Sequence, residues 1–210
     1  MNRLFEKQMQ DILKNEYPDF MKALEQPAVK AFYLNPHKKE AIKYLNKEFI
    51  QPHVVVKDGY YFNYEKYPLG KSPFFSCGLY YIQEPSAMLV THFLNIQKDD
   101  YILDMCAAPG GKTCAAASQL SEDGLMIAND IVPLRAKILS ENVERFGLKN
   151  TIVTNCDPLV FENQLKGFFD KIILDAPCSG EGMFRKSDAA IETWSLEKVH
   201  ECAHIQRQLL

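Results

Sequence analysis

No stretch of these 210 residues is apolar for long enough to span a bilayer. The opening "MNRLFEKQMQDILKNEY" carries charge every few positions, so it lacks the apolar core of a signal peptide. A cytoplasmic protein with no membrane partner is expected. The six cysteines, at 77, 106, 114, 156, 178 and 202, never fall in a Cys-x-x-Cys spacing, which argues against a disulfide framework and for free thiols, one of them a candidate for reactivity. Internal repeats and low-complexity tracts are missing too. Charge of neither sign dominates, with a net of −3, but the distribution is uneven. Residues 1–80 hold 12 basic and 9 acidic groups and residues 81–210 hold 12 and 18. A phosphate-bearing partner would favour the N-terminal part, unless the difference is ordinary solvated surface.

Residues 1–48 read mostly as amphipathic helices, with Pro36 placed at the first turn of "PHKKEAIKYLNKEF". β-like segments follow, "HVVV" and "YYFNY", and then a loop rich in turn formers, "YPLGKSPFFSCG", which suggests a domain boundary near residue 76. "EPSAMLVTHFL" has a good helix start at Glu84 and Pro85. From residue 100 the pattern alternates. "YILDM", "LMIAND", "TIVTN" and "KIILDA" are short apolar strands, and "KTCAAASQL" and "PLRAKILSENVERFG" are helical, the latter stopping at Gly147. The expectation is an α/β fold, a parallel sheet with helices on both faces. Ligands bind such sheets at the carboxyl ends of the strands, where Asp104 to Gly111, Asp130, Asp157 and Asp175 fall.

The loop "LDMCAAPGGKT" ends like a phosphate-binding loop, yet the glycine required five residues before Gly111 is Cys106. Gly-x-Gly-x-x-Gly fails as well, because the loop offers only Gly110 and Gly111. What remains is a Gly-Gly turn from strand to helix, followed by Asp130 at the end of the next strand. A carboxylate there suits the vicinal hydroxyls of a ribose, so the site wants a nucleoside without phosphates, and S-adenosylmethionine is the natural candidate. Taken alone, Asp130 is equally readable as a cap for the helix starting at Pro133.

"DAPCSGEGMFRK", residues 175–186, has Asp-Ala-Pro-Cys where an amino-group methylase would show Asp-Pro-Pro-aromatic. Carbon 5 of a pyrimidine is a poor nucleophile, and a thiolate adding to carbon 6 is the usual remedy. Asp175, bonded to ring nitrogen 3, would stabilise the developing charge. Cys178 is also readable as a small buried apolar side chain. "HECAH", 200–204, matches His-Glu-x-x-His, but the extended zinc motif fails at Arg207 and Leu210, so no metal is expected and an amphipathic helix burying Val199, Cys202, Ala203 and Gln206 is the reading.

Together, "LDMCAAPGGKT", the "ND" at 129–130, the "NCD" ending at Asp157, "DAPCSGEGMFRK" and "GLYYIQEPSAM" resemble the Sun family of RNA cytosine-5 methyltransferases, nearest to its bacterial small-subunit ribosomal RNA type. The resemblance implies a Rossmann-like methyltransferase sheet, here its first four core strands, over residues 76–210, preceded by a smaller α/β domain, 1–75, that binds RNA. It implies S-adenosylmethionine as cofactor, held by Cys106, Ala107, Ala108, Pro109, Gly110, Gly111, Lys112, Asp130, Asp157 and Asp175, with Asp157 near the adenine. Asp175 and Cys178 would be catalytic, Cys178 aiding product release, and Arg185 and Lys186 would lie near the RNA backbone. The family's nucleophile sits in a Thr-Cys-Ser/Thr motif that these residues do not contain. That departure implies part of a longer protein, inactive by itself, unless Cys178 is the nucleophile. Tyr33, in "AFYLN", stands where the family tends to have arginine. A nucleoside-triphosphate site at Gly110 to Thr113 and a non-catalytic cofactor- or RNA-binding module remain as rival readings.

Overall fold

A computed structural model describes residues 2–210, which form two compact units. One spans Val29–Asp175; the other joins the residues up to Ala28 with Ala176–Leu210.

The larger unit contains two four-stranded sheets. Strands β1 (Ala31–Leu34), β2 (Ile50–Pro52), β3 (Gly59–Phe62) and β4 (Tyr80–Gln83) form an antiparallel sheet in the order β2-β3-β1-β4. Strands β5 (Tyr101–Asp104), β6 (Leu125–Asn129), β7 (Thr151–Thr154) and β8 (Lys171–Ile173) form a parallel sheet in the order β7-β6-β5-β8, with Asp104 level with Ala128 and Ile173. All four parallel strands fall in the segments that composition marked. The chain runs outward from β5 to β7 and then returns to the other side of β5, so a crevice opens between β5 and β8 where the winding reverses.

Helices α1 (Pro73–Ser76), α2 (Pro85–Phe93), α3 (Gly111–Ala117), α4 (Pro133–Phe146) and α5 (Leu159–Gln164) belong to the same unit. Helix α4 begins with Pro133, whose missing N–H costs nothing in the first turn, and ends where Gly147 takes a left-handed conformation. Of its buried stripe, Ala136, Leu139, Val143 and Phe146, the last three join Ile102, Met126 and the alanines of α3 in the main core. Full burial of a side chain such as Leu139 or Phe146 contributes about 1.5–3 kcal/mol.

Two local expectations fail. "HVVV" is not a strand: Nδ1 of His53 accepts the N–H groups of both Val55 and Val56, so a side chain takes donors that a ladder would need, and Val54 stands 85% exposed. The expected helix from Pro36 is a 3-10 helix, Pro36–Tyr44, kinked at Lys38, and "AFYL" before it is the fully buried strand β1. Tyr33, at the position where the resembled family tends to have arginine, packs inside, its hydroxyl 3.4 Å from Ser118 Oγ.

The smaller unit is helical, with α6 (Arg3–Leu13), α7 (Tyr17–Leu24), α8 (Asp188–Glu192) and α9 (Leu196–Leu209) around a cluster of Phe5, Phe184 and Trp194. Phe5 meets both other rings edge-on, at centroid distances of 4.9 and 5.6 Å. On α9, Val199, Cys202, Ala203 and Gln206 are half-buried while His200 and His204 are exposed, so the histidines of "HECAH" lie on its outer side.

Candidate cofactor site

The loop between β5 and α3 is fixed from three sides. Main-chain bonds run from Met105 N–H to Ile173 and from Ala107 N–H to Asn129. From α4, Arg135 donates to the Ala108 carbonyl at 2.8 Å and Asn142 to the Pro109 carbonyl at 2.9 Å. Beneath it, buried Asn129 donates to the Met105 and Cys156 carbonyls while accepting from Thr154 Oγ1 and Cys156 N–H. The geometry favours glycine at both positions. Gly110 has φ +109°, and a Cβ on Gly111 would come within 3.0 Å of Gln83 and Tyr81 of β4.

Carboxylates collect at the strand ends. Asp104 is 1% exposed and accepts from Thr113 Oγ1 at 2.8 Å through Oδ2, while its Oδ1 has no hydrogen-bond partner among the described residues. Burial raises its pKa to about 7, opposed by the Thr113 hydrogen bond and by Lys112 and reinforced by Asp175 and Asp130. Asp130 is 2% exposed. Its Oδ1 accepts the Val132 N–H, and Arg135 approaches Oδ2 at 3.3 Å, within ion-pair range but not aligned as a hydrogen bond. The simple capping account of Asp130 is incomplete, because this oxygen is buried and, among the described residues, accepts no hydrogen bond. Lys112 pairs with Asp175 at 2.5 Å. The structure thus gathers Asp104, Lys112, Asp130 and Asp175 into one electrostatic group, with half-buried Cys106 beside it, its thiol pushed up to about 11 by burial and by Asp130 and Asp104. A thiol so shifted stays protonated near neutrality and is a poor nucleophile.

Ala107, Ala108 and Gly110 are buried parts of the loop wall, and Pro109 is exposed. Asp157 is exposed just beyond β7, its Oδ1 accepting the Leu159 N–H at 3.0 Å. Cys178 is exposed and belongs to the smaller unit, where Gln206 holds the neighbouring Pro177 carbonyl at 2.9 Å. Sequence reasoning placed Asp104 at a strand end and quoted the "ND" at 129–130 but gave neither Asp104 nor Asn129 a role, and it left out Arg135 and Asn142, which with Asn129 brace the loop. The polar residues of α4 at spacings of seven and three, Arg135, Asn142 and Arg145, were the available signal, because that spacing puts them on one helical face.

Two buried carboxylate oxygens without hydrogen bonds, in a glycine-lined turn at the carboxyl end of a parallel sheet, suit a ligand that donates hydrogen bonds, such as a ribose with an ammonium-bearing tail. The residues present fit S-adenosylmethionine on that ground.

Residues 91–210 match the family model described as 16S rRNA methyltransferase RsmB/F, and residues 1–85 match that of the N-terminal domain of 16S rRNA methyltransferase RsmF. A ribosomal RNA small subunit methyltransferase F from Vibrio cholerae is 35% identical over 201 residues, covering 91% of this chain and 42% of the relative. The chain therefore spans less than half the length of that relative. Among solved structures, a methyltransferase homologue from Pyrococcus horikoshii is 31% identical with a TM-score of 0.75, over 92% of this chain and 62% of the other. NSun6 from Pyrococcus horikoshii, solved with SFG, shares the fold at a TM-score of 0.81 and 20% identity, over 97% of this chain and 77% of the other.

Proposed function

This chain belongs to the RsmB/F family of 16S ribosomal RNA methyltransferases, and on that premise we propose that it binds S-adenosylmethionine and serves methylation of carbon 5 of cytosine in ribosomal RNA. The observation that carries the cofactor assignment is the pair of buried oxygens on Asp104 and Asp130 that accept no hydrogen bond among the described residues. Asp130 would accept the ribose hydroxyls through Oδ2, with Arg135 steadying the same oxygen. The backbone of Cys106 to Gly111 would line the amino-acid tail and Asp157 would face the adenine. When bound, S-adenosylmethionine supplies an electrophilic methyl group.

Asp175 would hold nitrogen 3 of the target cytosine, with Lys112 fixing the carboxylate's direction. A cysteine thiolate adding to carbon 6 makes carbon 5 nucleophilic; once carbon 5 carries the methyl group, a base takes its proton as the carbon 6–sulfur bond breaks, which restores the ring and releases the cysteine as thiolate. By family resemblance the attacking thiolate belongs to the Thr-Cys-Ser/Thr motif, and Cys178 assists the expulsion. Carbon 5 must enter a pocket, so the RNA is unpaired there or the base is extruded. Localisation in the cytoplasm, with its ribosomal RNA partner, follows from the same reading.

Calorimetric titration of the 210-residue chain with S-adenosylhomocysteine, and separately with magnesium-ATP, tests the cofactor pocket. Saturable binding of the first alone, lost in Asp130→Ala, is expected. Binding of ATP and not of S-adenosylhomocysteine would replace this reading with the nucleoside-triphosphate one.

A further inference from the structure

A cleft of about 470 Å³ lies on the antiparallel-sheet side of the larger unit, between the 3-10 helix Pro36–Tyr44 and the segment from Phe74 to Leu79. Its walls are anchored. Asn35, fully buried at the end of β1, accepts the His37 N–H and donates to the carbonyls of Gly78 and Phe146, at 3.0 and 2.8 Å. At the kink, Lys38 Nζ donates to the Cys77 carbonyl at 2.7 Å and so links two residues that line the cleft. The rim carries cations and an aromatic plane. Lys39 and Lys43 are exposed, the 63% exposed ring of Tyr44 lies nearly parallel to that of Phe74 (13°, centroids 6.3 Å apart), and the Lys43 ammonium stands 5.2 Å from the Tyr44 centroid.

An exposed aromatic plane in a rigid wall, flanked by ammonium groups, meets the two needs of a single-stranded nucleic acid: a surface for stacking a base and positive charge for its phosphates. Of the four charged residues among 36–44, Lys38, Lys39 and Lys43 are basic and only Glu40 is acidic. An acidic peptide would satisfy the charges and leave the stacked rings without a role. We propose that this cleft is a second RNA-binding site, taking an unpaired nucleotide of the substrate RNA with its base against Tyr44 and its phosphates at Lys39 and Lys43. The proposal rests on the RNA-methyltransferase reading above and adds where in the N-terminal part the RNA is held.

The test is fluorescence anisotropy of a labelled ten-nucleotide single-stranded RNA with the full 210-residue chain, against Tyr44→Ala and Lys39→Ala/Lys43→Ala. Calorimetry with S-adenosylhomocysteine runs on the same preparations. Removing the two lysines should weaken RNA binding at least about tenfold and flatten its log–log salt dependence by roughly 1.4, two single-strand phosphate contacts. Tyr44→Ala should weaken binding about fivefold or more, within the range of one lost base stack. Cofactor binding should be unchanged in each. Equal RNA affinity in wild type and variants, no RNA binding by wild type, or an unlabelled polyglutamate peptide competing as well as unlabelled RNA would each overturn the cleft. The cofactor titration on the same samples separates that failure from failure of the methyltransferase reading.

Discussion

Lys112 Nζ stands 2.5 Å from Asp175 Oδ2, tying the first turn of α3 to the end of the segment that carries β8. Asp175 is 61% exposed at its side chain, so the pair is worth no more than about 1 kcal/mol of stability. Its weight is electrostatic, because Lys112 is one of the groups that oppose the rise in the Asp104 pKa. Lys112→Met should change unfolding free energy by less than about 1 kcal/mol, while the Asp104 carboxyl, followed by carbon NMR, titrates higher than in wild type. An unmoved Asp104 titration would refute the coupling.

Asp104 also sets a pH dependence. Its folded pKa, about 7, lies above the ordinary carboxyl value of 3.8, so the folded state holds the proton more tightly than the unfolded chain does. The stabilisation is complete below pH 4 and is lost as pH rises towards 7. Relative to Asp104→Asn, wild type should therefore lose stability between pH 4 and 8, by an amount of order a few kcal/mol. Denaturation of both proteins at pH 5 and pH 8 checks this; a constant difference between them would contradict it.

Gly78 has no room for a methyl group. With φ at +63°, its Cβ would fall 1.8 Å from the Arg145 carbonyl oxygen at the end of α4. Gly78→Ala should cost about 3 kcal/mol or more and lower the melting temperature by about 6 °C or more. Gly70→Ala, whose methyl group would touch only Ile82 at 3.6 Å, is the control and should stay within about 1 kcal/mol. Similar melting temperatures for the two variants would mean that the close approach is not maintained in solution.

Glu181 Oε1 accepts from Ser179 Oγ at 2.7 Å and from Trp194 Nε1 at 2.8 Å. Burial pushes its pKa up, but these hydrogen bonds together hold it below the ordinary glutamate value. Its contribution is present above that ordinary value and disappears as pH falls through the lowered one. Trp194 is the chain's single tryptophan, so its emission should shift to the red as acid breaks the contact. Glu181→Gln should show a shallower acid transition, and an identical one would remove Glu181 from the account.

The parallel sheet was legible because each strand is a short apolar run bounded by turn formers and separated by helix-length segments, and the acidic residues at its carboxyl edge could be placed from that pattern alone. The N-terminal part was not. Four apolar residues, Ala31 to Leu34, have no period that separates strand from helix, and only pairing with β3 and β4 makes them a strand. "HVVV" has strong strand propensity, yet a histidine side chain captures the backbone locally. At the loop between β5 and α3 the glycines stood out by residue type, as did Asp130 at the end of β6. Its braces from α4 did not, because a helical arginine or asparagine looks like ordinary surface until the fold shows what it reaches.

The helical unit is assembled from the two extremes of the chain: Phe5 packs on Phe184 and Trp194, some 180 residues away. A ribosome releases the first partner long before the second. At the usual pace of about 5–20 residues per second, α6 and α7 wait roughly 10–40 seconds for the aromatic residues that cover them. During that interval the apolar face of a growing chain stands uncovered, while the larger unit, Val29–Asp175, is already complete and free to close first.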